Sequence, residues 1–183
     1  MKKRRKGIVL VAGALGGATA FSTGSASNVL NPVMLTKAAE GDLEAEGKCG
    51  TDATYTFKDG LLSIRGTGAI DDNAFESQED IQMVVIEDGI TVIGESAFLG
   101  CSSLESVSLP GSVKEIGNYT FANTGLTELI LPETVEKLGW NILQENEGVK
   151  ELLIPKTVTY MGGANETLGG SAIERVVFEE GTT

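Results

Sequence analysis

Apolar residues return in this chain about every 23 positions. Leu104, Val107 and Leu109 are followed by Pro110, Leu126, Leu129 and Leu131 by Pro132, and Val149, Leu152 and Ile154 by Pro155. The same frame gives Ile81, Val84 and Ile86 upstream, and Ile173, Val176 and Phe178 downstream. The starts step by 23, 22, 23 and 24 residues. A unit of this length cannot bury its own apolar face. Units must stack and share one continuous core, which makes the chain a solenoid. That constrains architecture tightly and activity very little.

Within one unit the first apolar position and those three and five later describe a short strand facing the core. The proline that follows cannot donate to a ladder and ends the strand. Val113, Val135 and Val158 point inward after the turn. Ile93-Gly94, Ile116-Gly117, Leu138-Gly139 and Met161-Gly162 form the next corner, where glycine permits a tight bend. Ala97-Phe98, Thr120-Phe121 and Ile142-Leu143 supply bulk on the back. Parallel strands of successive units should lie about 4.8 Å apart. Residues 81–183 thus hold about four coils and an incomplete fifth.

The N-terminal part reads differently. Residues 1–27 carry a basic start (Lys2, Lys3, Arg4, Arg5, Lys6), then a short Gly-rich apolar run, then small residues that allow cleavage after Ala20 or after Ser27. This is the pattern of a secretory signal, with an uncleaved membrane anchor as the alternative. Residues 28–48 lack a sustained period, and Glu40, Asp42, Glu44 and Glu46 alternate with other residues, as in a flexible acidic linker. Removing the five leader cations leaves nine basic against 26 acidic residues, a net charge of −17. Such a chain repels nucleic acid and anionic lipid. Membrane contact would come only through the uncleaved anchor.

Residues 49–80 are expected to cap the solenoid with a β-hairpin and a connecting loop. Asp59-Gly60 favours a two-residue turn with φ > 0 at both positions. Counting outward pairs Phe57 with Leu62 and Tyr55 with Ile64 on one face, and Thr56 with Ser63 and Thr54 with Arg65 on the other. The apolar face is expected to lie over the open end of the first coil. Ala69, Ile70 and Phe75 are the expected inward anchors of the loop.

The pattern L-x-x-V-x-L-P-x-S-V-x-x-I-G-x-x-x-F in residues 104–121, with IGESAFLGCSSL in residues 93–104, resembles the BspA-like leucine-rich repeat. The segment from Cys49-Gly50 to Gly66-Thr67-Gly68 is similar to the region that often precedes these repeats. The resemblance covers residues 49–183. It implies a leucine-rich-repeat solenoid of the α/β class, mostly short parallel strands and turns. It also implies an exported bacterial surface protein concerned with adhesion and host-protein binding, with no catalytic set and no cofactor. The coil from Val149 departs from the pattern: it lacks the Ala-Phe pair and carries Gly162, Gly163, Gly169 and Gly170 instead.

Little in the sequence points to catalysis. With no histidine, the commonest general base and metal ligand is missing. Two cysteines make no framework. Export permits a Cys49–Cys101 disulfide, but two separately buried thiols fit the pattern better. Asp71 with Asp72, Glu79 with Asp80 and Glu87 with Asp88 have the residue types of glycoside hydrolysis or calcium binding. They lack any matching spacing and read as solvated loops, so no metal is expected. Asn118-Tyr119-Thr120 and Asn165-Glu166-Thr167 match a glycosylation sequon, a short pattern that recurs by chance.

The expected site is the sheet face. Met83, Ser106, Glu128, Glu151 and Arg175 form one outward column, and Val85, Ser108, Ile130, Leu153 and Val177 the other. Four branched aliphatics of the second column have no core to enter. Either β-propensity alone explains them, or they form a binding stripe. Tyr119 and Trp140, just after the corner glycines, are a candidate exposed aromatic pair. The expected function is a non-enzymatic, secreted or cell-surface repeat protein that binds an extracellular or host protein, or a glycan. The rival is a targeting or accessory fragment of a larger surface enzyme, or a truncated repeat without independent function. The strand begun by Ile173 leaves an open edge, from which two outcomes are expected as alternatives: end-to-end self-association, or fraying of the last coil back toward Gly163, with Glu179 and Glu180 as gatekeepers against uncontrolled stacking.

Overall fold

The computed structural model describes residues 45–162 and 167–180. The leader, the linker at 28–44 and the sequon residues Asn165 and Glu166 lie outside them. The chain winds as a ribbon of short strands and turns, and successive windings are joined by backbone hydrogen bonds. Two parallel ladders run along it, fed by one long strand.

The hairpin forms in the expected register. β2 (Asp52–Lys58) pairs antiparallel with β3 (Leu61–Ile70), setting Phe57 opposite Leu62, Tyr55 opposite Ile64, Thr56 opposite Ser63 and Thr54 opposite Arg65. Asp59 and Gly60 take φ of 49° and 80°, the left-handed pair that a two-residue loop needs. Tyr55, Phe57, Leu62 and Ile64 are all buried. The hairpin closes the stack by continuing it rather than as a detached lid. β3 joins it edge-on. It pairs in parallel with β4 (Met83–Ile86), and beyond a bulge between Gly68 and Ala69 with β5 (Ile90–Ile93). The bulge leaves Ala69 exposed, while Ile70 and Phe75 are buried as expected.

Two boundaries therefore move. Residues 71–80 are the back of a full turn: Asn73, Phe75 and Ser77 N–H donate to the carbonyls of Glu95, Ala97 and Leu99 at 2.8, 2.8 and 2.7 Å. Repeat geometry begins with Leu62, one turn before residue 81. The repeat was hidden because Asp59 stands where Ile81 stands in the next turn. The acidic linker also ends early. Residues 45–48 form β1 (Ala45–Lys48), antiparallel to β2, with Gly47 opposite Tyr55. A Cβ on Gly47 would lie 2.9 Å from the Tyr55 ring, so glycine there lets the ring lie flat against the strand.

The first ladder is β1-β2-β3-β4 with β6 (Ser106–Ser108). The second continues from β3 through β5, β7 (Glu115–Ile116), β8 (Lys137–Leu138) and β10 (Tyr160–Met161). β9 (Glu151–Ile154) and β11 (Arg175–Phe178) form a separate parallel pair. Residues 126–131, expected as a strand, carry none, so the first ladder stops at β6 and resumes at β9.

Each turn contributes one ring or aliphatic side chain to a central stack. Phe75, Phe98 and Phe121 lie parallel at centroid distances of 5.5 and 5.6 Å, and Leu143 continues the line. The corner glycines serve a different purpose from the one expected. Gly94, Gly117 and Gly139 do not adopt positive φ; the bend is made at Asn73, Ser96, Tyr119 and Asn141, with φ of 55°, 55°, 54° and 51°. The glycines are small because the previous turn presses on them. A Cβ on Gly117 would lie 2.6 Å from the Glu95 nitrogen, and one on Gly139 2.5 Å from the Asn118 nitrogen.

Candidate binding face

The first ladder decides which side chains share a surface. Parallel pairing places Met83 beside Ser106 and Val85 beside Ser108; Glu151 lies beside Arg175 and Leu153 beside Val177. The inward residues between them, Val84, Leu152 and Ile154, are buried. Period-two alternation therefore turns the expected columns outward on β4, β6, β9 and β11, and Glu128 and Ile130 are exposed in the strandless stretch between β6 and β9. Met83, Ile130 and Leu153 are 47, 68 and 48% exposed, while Val85 and Val177 are half-buried. Ser106, Ser108, Glu128, Glu151 and Arg175 are exposed, and Arg175 is ion-paired with Glu151 across the turn.

Sequence reasoning missed one member. Leu61, 39% exposed, stands beside Met83 at the head of the first column. It belongs to the hairpin strand, and its spacing of 22 residues to Met83 also matches the repeat. The serines at 106 and 108 divide the aliphatics into two groups: Leu61, Met83 and Val85 in one, Ile130, Leu153 and Val177 in the other.

Tyr119 and Trp140 are not equivalent in the frame. Trp140 aligns with Asn118, and Tyr119 with Asn141. The Tyr119 N–H donates to the Trp140 carbonyl at 2.8 Å, but among the described residues no ring contact joins the two. The Trp140 side chain, 47% exposed, lies across Gly162 of the next turn, where a Cβ would overlap the indole. The pair expected from sequence is thus one indole folded over a corner and one half-buried tyrosine.

The second ladder carries a shallow groove of about 250 Å³ beside Glu95, Glu115, Lys137 and Tyr160. Its polar groups already serve one another. Asp72 Oδ1 accepts from the Glu95 N–H at 2.8 Å, Asn118 Nδ2 donates to Glu95 Oε2 at 2.8 Å, and Asn118 Oδ1 accepts from the Trp140 N–H at 2.9 Å. This chain of contacts, stepping one turn at a time, ties up the amide of the Asn118 sequon. Lys137 with Glu115 and Lys114 with Glu136 add exposed ion pairs at 3.3 Å, each of small energetic weight.

The cysteines are free and buried. Burial, with a smaller contribution from Asp71, pushes the Cys49 thiol up to about 12. Burial pushes Cys101 to about 12 as well, and its Sγ–H donates to the Phe75 carbonyl at 3.1 Å. Neither thiol is poised as a nucleophile. Among the described residues no group of three potential metal ligands assembles. Asn146, which the sequence reading passed over, is 1% exposed and fully used: Nδ2 donates to the carbonyls of Thr124 and Leu126, both at 3.1 Å, and Oδ1 accepts from Val149 N–H at 2.9 Å. Its signal was its place three residues after Leu143, where Cys101 and Thr124 follow Phe98 and Phe121.

A parallel solenoid with a 23-residue step, inward leucines and an outward-facing ladder is a leucine-rich-repeat protein. The BspA type leucine rich repeat region matches residues 68–183 in six copies, and the chain belongs to that family. The fold is similar to a crystal structure of a leucine-rich repeat protein from Eubacterium ventriosum, with TM-score 0.63 and 22% identity over 76% of this chain and 45% of that one. A leucine-rich repeat protein from Bacteroides ovatus gives 0.57 and 22%, over 79% of this chain and 42% of that one. The Treponema pallidum protein TpLRR gives 0.54 and 17%, over 70% and 66%. The chain thus spans less than two thirds of the length of these structures. No curated protein sequence matches it.

Proposed function

We propose that this chain is a non-enzymatic binding module, exported to the cell surface or beyond, that captures an extracellular protein on the face of its first ladder. The observation that carries this is the exposure of Ile130 and Leu153 at 68 and 48%, at equivalent positions of successive turns. Exposed branched aliphatics that line up over successive turns offer desolvation energy to a partner, and the serines and charges around them supply a polar rim. The basic-then-apolar leader supports export. The buried, protonated thiols support a binding role over a catalytic one.

The test is capture by the mature protein from panels of extracellular-matrix proteins and mucins. The Ile130→Lys, Leu153→Lys double variant should keep its circular dichroism and lose capture at least about tenfold. Undiminished capture by that variant would move the site off this face.

A further inference from the structure

We infer that the first ladder contains a built-in seam at residues 126–131, which divides the solenoid into two blocks that open independently, with Asn146 as the pin that holds the seam. The remaining faces are continuous there. Glu136 N–H donates to Lys114 O and Thr159 N–H to Glu136 O on the second ladder, and Phe121 N–H to Ile142 O and Ile142 N–H to Thr167 O on the back. On the first ladder alone the pattern fails. Glu105 N–H donates to Gln82 O, and Glu174 N–H to Lys150 O, but the peptide groups of residues 127–131 have no hydrogen-bond partner among the described residues. Thr127, Glu128 and Ile130 are exposed, so solvent can reach the peptide groups on that side.

The cause is readable in the spacing. Leu104 follows Phe98 by six residues and Val149 follows Leu143 by six, but Leu126 follows Phe121 by only five. The connection is one residue short, yet Leu126, Leu129 and Leu131 all still reach the core, at 0, 4 and 7% exposure. Core packing wins over the ladder. Asn146 then stands in for what is lost. Its buried amide supplies the bond to the Leu126 carbonyl, and its own carbonyl accepts from Ala172 N–H at 3.1 Å in the turn beyond. The side chain thereby links the segment to the turn of Val149, and the backbone of the same residue carries the contact on to Ala172. Opening costs least where backbone bonds are fewest, so the block holding β9 and β11 is the one that loosens first.

Hydrogen exchange on the full chain, resolved to short peptides, tests this. Amides of residues 127–131 should exchange on the order of 100-fold faster than those of β4 and β9. In Asn146→Thr, which installs the residue found at Thr124, exchange in β9 and β11 should rise on the order of tenfold, with β4 unchanged. Equal protection of 127–131 and β4 would overturn the seam. A uniform rise across all strands in Asn146→Thr would overturn the two blocks. The wild-type comparison decides the seam even if that variant does not fold.

Discussion

The Tyr55 ring stands edge-on to Phe75, with 5.2 Å between centroids and 88° between planes. Beyond Phe75 the rings of Phe98 and Phe121 lie nearly parallel. The hairpin thus ends the stack with a ring turned across it, positive edge against negative face. Leu62 and Ile64 on β3 bury the first turn's core at the same time. Closing a solenoid end matters because the terminal turn would otherwise expose its inner side.

Tyr55→Ala should therefore lower stability by about 3 kcal/mol, comparable with truncation of an aromatic in a core. The urea midpoint measures it. Tyr55→Phe keeps the ring and should cost less than about 1 kcal/mol. If Tyr55→Ala leaves the midpoint in place, the hairpin does not close the stack.

The corner glycines allow a sharper comparison. A methyl at Gly117 meets backbone at 2.6 Å, whereas at Gly111 nothing lies within 4 Å. Gly117→Ala should destabilise by about 1–3 kcal/mol, through forced movement of the Glu95 backbone. Gly111→Ala should fall within about 0.5 kcal/mol of wild type. Thermal melts of the two proteins, run in parallel, separate close packing from backbone freedom as the reason for glycine.

The thiols set an alkaline limit. Cys49 and Cys101 rise from 9.0 to about 12 in the fold. Above pH 9 the unfolded chain releases protons that the folded chain retains, so stability present below pH 9 declines as pH rises towards 12. The slope of urea midpoint against pH between 9 and 11 should be shallower in Cys49→Ala, Cys101→Ala than in wild type. In native protein at pH 8 both thiols should resist iodoacetamide, and in urea both should react. Rapid native alkylation of either would contradict their burial.

The face variant also has a stability prediction. Because Ile130 and Leu153 are exposed, Ile130→Lys with Leu153→Lys should shift the urea midpoint by no more than about 0.5 kcal/mol per site. A large loss would mean that these side chains support the fold, and that their exposure is no evidence for a partner.

Periodicity was enough to place most of the core. Ile81, Leu104, Leu126 and Val149 recur because each turn must present an apolar residue to the next, and all four are buried. The Asp59-Gly60 turn and the pairing of Tyr55 with Ile64 were equally legible, since a two-residue loop admits one register. The outward columns followed from strand alternation, and Leu61 escaped only because a hairpin strand was not suspected of being a repeat strand as well.

What the sequence determined by itself is the repeat, its inward faces and the turn at Asp59-Gly60, because these depend on residues close in the chain or on a fixed step along it. What only the tertiary structure decided is how neighbouring turns meet. Whether Trp140 covers Gly162 or joins Tyr119, whether glycine at 117 bends the chain or makes room for Glu95, and whether 126–131 completes a ladder all depend on distances of a few ångströms between turns. A one-residue deficit before Leu126 is visible in the spacing. Whether it is absorbed by the core or by the ladder depends on which contact costs more to lose. Burying Leu129 and Leu131 outweighs peptide bonds that water can replace.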